Sequence, residues 1–291
     1  MGRASRSGRI LGALALITVT GRAGAIVPLT APPLPARVAL ADLIALGKVT
    51  AIEDGVVEAA PLVKIPGVTK KVPFRIAVVS IQSPIQGADK LERVRVAFTP
   101  PPTDGTTVRG GGRLAIVRLA AGYEGCFFLR KHSDEPFYVA SAAYDFLAKG
   151  KTKEFDKEIA QVKRCVRLLN DTKKGLAAKE ADDRLLTAAL LIYRYRTPRH
   201  VYRGKPRTES IAADESKRIL TILSEADWEA KEPSLAGTPL SLFLRLDLTA
   251  ADGWQPPADL PRVAPAARKW LLDNAAKYRI QRYLPPEDSG K

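Results

Sequence analysis

KTKEFDKEIAQVKRCVRLLN, residues 151–170, is where the periodicity of the chain changes. Phe155, Ile159, Val162, Val166 and Leu169 recur at i, i+4, i+7, i+11 and i+14, one apolar stripe on a helix whose other faces carry Lys and Glu. Thr152 is the expected N-cap. Upstream, apolar residues alternate or run in short blocks; downstream, they return at helical spacing. The switch predicts a strand-rich half followed by a helical half.

In the upstream half, Leu43–Ile52 and residues 74–81 are rich in β-branched and aliphatic side chains, and Arg93–Phe98 puts Val94, Val96 and Phe98 on one face with Arg93 and Arg95 on the other. Residues 114–119, 125–130 and 137–139 complete the set, separated by Pro100-Pro101-Pro102, Asp104-Gly105 and Gly110-Gly111-Gly112. Five or six short strands within 38–145 predict a small β-barrel, because closure removes exposed sheet edges. Downstream, helices are expected over 179–195, 214–229 and 239–246, the last opened by Thr238 as cap and Pro239 in the first turn. Thr249 to Asp252 has capping-box spacing with Gly253 as its stop, and Pro265 opens a final helix carrying Trp270, Leu271 and Tyr278. The expected class is α+β: the barrel, then an all-helical domain over 150–285.

At the other end, Arg3, Arg6 and Arg9 precede a charge-free run from Ile10 to Thr20, and Ala23-Gly24-Ala25 supplies small residues for a signal peptidase. Residues 1–25 therefore read as an export signal cleaved after Ala25, giving a secreted or periplasmic product of 266 residues with no membrane span. Residues 26–37, with Pro28, Pro32, Pro33 and Pro35, read as an extended tether. The net charge of +15 falls to +11 without the signal, 42 basic against 31 acidic groups, which suits anionic envelope polymers or another envelope protein better than sequence-specific nucleic acid. In an oxidising compartment Cys126 and Cys165 are either one disulfide closing about 39 residues, worth roughly 3–4 kcal/mol, or two buried core thiols.

Three segments carry a family resemblance: ADLIALGKV (41–49), the long strand 74–85 ending at Gly87, and EGCFFL (124–129). In that order they resemble exported OB-type barrels of the netrin-like kind found in metalloproteinase inhibitors, over about a third of the chain. The resemblance implies a closed barrel. It does not bring protease inhibition with it, because the family's paired cysteines, including one at the mature N-terminus, are absent. The whole-chain pattern also resembles exported bacterial proteins of unknown function, which implies no activity.

The densest constellation of chemically able side chains is Arg194, Tyr195, Arg196, Arg199, Tyr202, Arg203, Lys205 and Arg207, with no carboxylate between Asp183 and Glu209. Planar guanidiniums fork onto phosphate, sulfate or carboxylate, and tyrosines offer flat faces, so this is the anion-binding candidate. The same residues also suit an exposed loop after a helix, cations facing the negative end of its dipole. His132, Ser133 and Asp134 are consecutive and read as a turn, since neighbouring side chains point apart and cannot form a relay. His200 stands in the basic loop, and no pair among the two His and two Cys has zinc spacing. Asp182-Asp183 and Glu154/Glu158 sit beside cations at helical spacing, as solvated faces do. No cofactor, metal or catalytic group is expected, and the chain reads as a non-enzymatic binding or structural module. The rival reading is an envelope hydrolase using carboxylates such as Glu124 or Asp134 between the two domains.

Overall fold

The computed structural model describes residues 31–62, 71–100, 118–199 and 206–285. The expected signal segment 1–25, the Gly110-Gly111-Gly112 turn, most of the strand expected at 114–119, and His200, Tyr202, Arg203 and Lys205 lie outside the described residues.

The described chain opens on helix α1 (Leu34–Leu40) and continues through strands β1 (Leu43–Ile52), β2 (Val57–Ala59), β3 (Val72–Gln86), β4 (Arg93–Phe98), β5 (Glu124–Lys131), β6 (Tyr138–Val139) and β7 (Phe146–Ala148). Helices α2 (Phe155–Asn170), α3 (Thr172–Leu176) and α4 (Ala181–Arg196) follow, then β8 (Thr208–Ser210), α5 (Ala213–Glu225), α6 (Pro239–Leu244), α7 (Val263–Asn274) and β9 (Gln281–Tyr283).

The expected α+β class, an OB-like barrel ahead of an all-helical domain, is corrected to a mixed α/β architecture built on a seven-stranded mixed sheet. The strand path runs β1-β3-β4-β6-β5-β7, and β1 also pairs with β5. Most pairings are antiparallel, but β4 and β6 run parallel, Val96 opposite Tyr138. Two further observations go with this correction of the class. Strands β8 and β9 pair antiparallel within the helical half, and α1, from the N-terminal side, packs on α4 and α2.

The physical reason lies in β1 and β5, whose two faces are both buried. Leu43, Ala45, Phe127 and Leu129 point into the strands' own core with Val79, Val96 and Phe98. Their neighbours Ile44, Cys126 and Phe128 point the other way, into one continuous core with Val162, Leu190, Ile219 and Trp270 of the helices. Each fully buried Phe, Leu or Ile contributes about 1.5–3 kcal/mol, so detaching the strands from the helices would expose a costly apolar face. A third cluster, Phe74, Ile76, Ala97 and Phe137 among it, covers the remaining side of β3 and β4 under β2.

The expected tether also ends earlier than its prolines suggest. Pro33 is the N-cap of α1 and Pro35 sits in its first turn, where a missing N–H costs nothing, leaving Val38 and Ala39 buried. In the helical half, α2 presents Ile159, Val162, Val166 and Leu169 inward, although its N-cap is Glu154 rather than Thr152. Helix α4 is apolar on most sides and central, with 186–193 all buried. The Thr238 hydroxyl accepts from the Ser241 amide, and the Thr249/Asp252 capping box closes on left-handed Gly253 at φ 75°. No helix among the described residues is long and apolar enough to cross a membrane.

Candidate functional site

Arg194 and Arg196 fall in the last turn of α4, where cations meet the negative end of the helix dipole. From there the sequence cluster divides. Arg194 is exposed, and among the described residues it has no ion-pair partner. Arg196 turns inward: its side chain is 6 % exposed, it donates to the Gln281 carbonyl at 3.1 Å and reaches the Asp247 carboxylate at 3.4 Å. Its guanidinium also lies 4.8 Å over the Tyr283 ring. Arg196 therefore ties α4 to β9 and leaves the anion-binding set. Arg199 donates to Asp42 at 2.9 Å and to the carbonyls of Ala39 and Leu40 at 3.4 and 3.3 Å, closing the end of α1. The Tyr195 hydroxyl donates to Glu215 at 3.1 Å. Burial, with Glu215 beside it, pushes that phenol up to about 12. Arg207 is exposed beside β8, and its carbonyl accepts from the Leu284 amide.

These ends converge on a groove of about 550 Å3 between the strands and the helices. Arg194, Tyr195 and Arg199 line it from the α4 side, and Arg282 and Tyr283 line it from β9. Arg282 is ion-paired with Glu209 across the β8–β9 ladder. Asp42 is the one carboxylate lining the groove among the described residues, and it is occupied by Arg199 and by the Lys131 amide at 3.0 Å. Sequence reasoning missed Arg282 and Tyr283. Gln281–Tyr283 is only three residues long and becomes a strand through its partner Thr208–Ser210, 73 residues away at Glu209/Arg282.

The other candidates resolve into structural roles. His132 is buried; its Nδ1 accepts the Asp134 and Glu135 amides at 3.1 Å each, which leaves Nε2 to donate to the Ala60 carbonyl at 2.9 Å. That imidazole holds a turn and has no free nitrogen for a nucleophile. Asp183 takes Arg164 and Arg167 from α2, and Glu154 takes Lys157. Glu124 is paired with Lys48 at 3.1 Å and Lys149 at 3.8 Å, and neither it nor Asp134 lines the groove. Cys126 and Cys165 are both free and fully buried, and burial raises each thiol to about 12. Among the described residues no group of three His, Cys, Asp or Glu could hold a metal ion. Neither a protein-family model nor a curated protein matches the chain.

Proposed function

We propose that this protein is an exported, non-enzymatic binding module of the cell envelope that holds an anionic polymer in the groove between its strands and helices. One observation carries the reading: Arg194, Arg199 and Arg282 open onto one groove beside Tyr195 and Tyr283, against a single, already paired carboxylate. Guanidiniums keep several donors in a fixed fork, so an arginine with one carboxylate partner retains N–H groups for a second anion. Arg194 enters exposed and without an ion-pair partner among the described residues. The net charge of +11 left once the signal is removed, 42 basic against 31 acidic groups, adds a long-range pull on the same ligands. A groove lined by cations and tyrosine, with Glu124 and Asp134 elsewhere, supports binding over acid–base hydrolysis.

Export rests on the leading arginines and the apolar run behind them. Fractionation of the source cells tests it: N-terminal sequencing should find the protein in the envelope fraction beginning at Ile26. Full-length protein in the cytosol would reject the reading. Immobilised polyphosphate should retain the purified protein and release the Arg194→Gln/Arg282→Gln variant at lower salt.

A further inference from the structure

A second, smaller cavity of about 140 Å3 lies where α1 meets β5, and Ala41 lines both it and the groove. Arg37 enters from the last turn of α1, Phe128 and Arg130 from β5, and Tyr144 and Asp145 from the turn before β7. The Arg37 guanidinium lies 4.2 Å over the Phe128 ring, and its Nε and Nη2 are shielded from water without a hydrogen-bond partner. These are the two nitrogens with which Arg95 grips Glu53, at 2.8 and 2.7 Å. Arg130 likewise makes no ion pair or hydrogen bond through its guanidinium among the described residues.

Among the described residues, the one carboxylate lining the cavity does not pair with either arginine. Asp145 spends Oδ2 on the Ser141 and Ala142 amides at 2.7 and 2.9 Å, and it ion-pairs with neither arginine. Burial pulls both arginines below the usual guanidinium range and pushes Asp145 above the usual carboxylate range. Two arginines against one carboxylate line the cavity, while Glu158 acts on Arg37 and Asp42 on Arg130 from outside it; the shielded, unpartnered nitrogens of Arg37 cost stability until an acceptor reaches them. Liquid water takes about 30 Å3 per molecule, so the cavity of about 140 Å3 has room for roughly five waters or one small charged group.

We propose that this cavity binds a single carboxylate group between Arg37 and Arg130, with the Tyr144 hydroxyl as an additional donor. A carboxylate brings two coplanar oxygens that match the unpartnered Nε and Nη2 of the planar Arg37 guanidinium. A phosphate dianion would bring a second charge against Asp145. The carboxylate could belong to a free small acid or to the end of a peptide.

Isothermal titration of the purified protein at constant ionic strength tests this with acetate, with acetyl-trialanine bearing a free C-terminus, and with the same peptide amidated. Saturable binding of acetate alone assigns a free acid. Tighter binding of the acidic peptide assigns a chain terminus. In either case Arg130→Gln should weaken binding at least tenfold, while Arg194→Gln, in the groove, should leave it unchanged. The proposal is overturned if neither acid binds saturably, if the amide binds as well as the acid, or if Arg130→Gln binds like the wild type.

Discussion

Arg199 and Asp42, 157 residues apart in the chain, form an ion pair at 2.9 Å that joins the end of α4 to the junction of α1 and β1. Both side chains are over a third exposed, 38 % and 37 %, so water screens the pair and its coupling is held to about 0.5 kcal/mol. Arg199 also caps the last carbonyls of α1, adding about 0.3–1 kcal/mol. Urea unfolding should show Arg199→Ala losing about 1 kcal/mol. A double-mutant cycle with Asp42→Ala should return the smaller coupling, reduced in 1 M salt. Strict additivity would remove the pair from the account.

The two thiols are inert in the native state. With Cys126 and Cys165 buried and raised to about 12, a thiolate-dependent reagent such as Ellman's should find no thiol at pH 8 and two after denaturation. Absence of thiols in denaturant would mean the chain had bridged them instead.

Gly125 is a packing requirement rather than a turn. A Cβ there would stand 2.0 Å from the Leu147 carbonyl oxygen, a backbone atom of the β7 strand it pairs with. Gly125→Ala should cost about 3 kcal/mol or more, because the strands must part to admit the methyl. Gly55→Ala is the control: with φ at 78° and open space around it, only backbone strain is paid, about 1 kcal/mol. Equal losses by thermal unfolding would contradict the register of β5 on β7.

Alkali should unfold the protein before arginine titrates. Cys126 and Cys165 rise from 9.0 to about 12, and Tyr195 and Tyr278 from 10.0 to about 12, burial being the leading cause in each case. Their folded values lie above their unfolded ones, so the folded state holds these protons longer. Stability is then complete below about pH 9 and is lost as pH climbs toward 12. Urea midpoints at pH 8, 9.5 and 11 should fall in that order; a flat series would mean these groups are solvated.

The sequence made the individual elements legible where one face faces solvent. The alternation of Arg93 and Arg95 with Val94 and Val96 and the stripe from Phe155 to Leu169 are found in β4 and α2, since period and burial agree there. The architecture was hidden in the strands that have no wet face. EGCFFL reads as an apolar run, and only tertiary contact shows that Cys126 and Phe128 face the helices while Phe127 and Leu129 face the strands. Prolines concealed α1, because Pro33 and Pro35 forbid a helix interior yet suit its start. Within the basic cluster, charge alone could not separate buried Arg196 from exposed Arg194, two positions apart on one helix. Arg282 joined the groove through long-range pairing that no local pattern announces.

The salt dependence of polyphosphate binding tests the groove most directly, because each arginine that neutralises a phosphate adds to the slope of log K against log salt. The wild type should bind with a steep slope, and Arg194→Gln/Arg282→Gln should bind more weakly, with a slope shallower by roughly one to two. An unchanged affinity and slope in that variant would contradict the groove as the site where the anion is held.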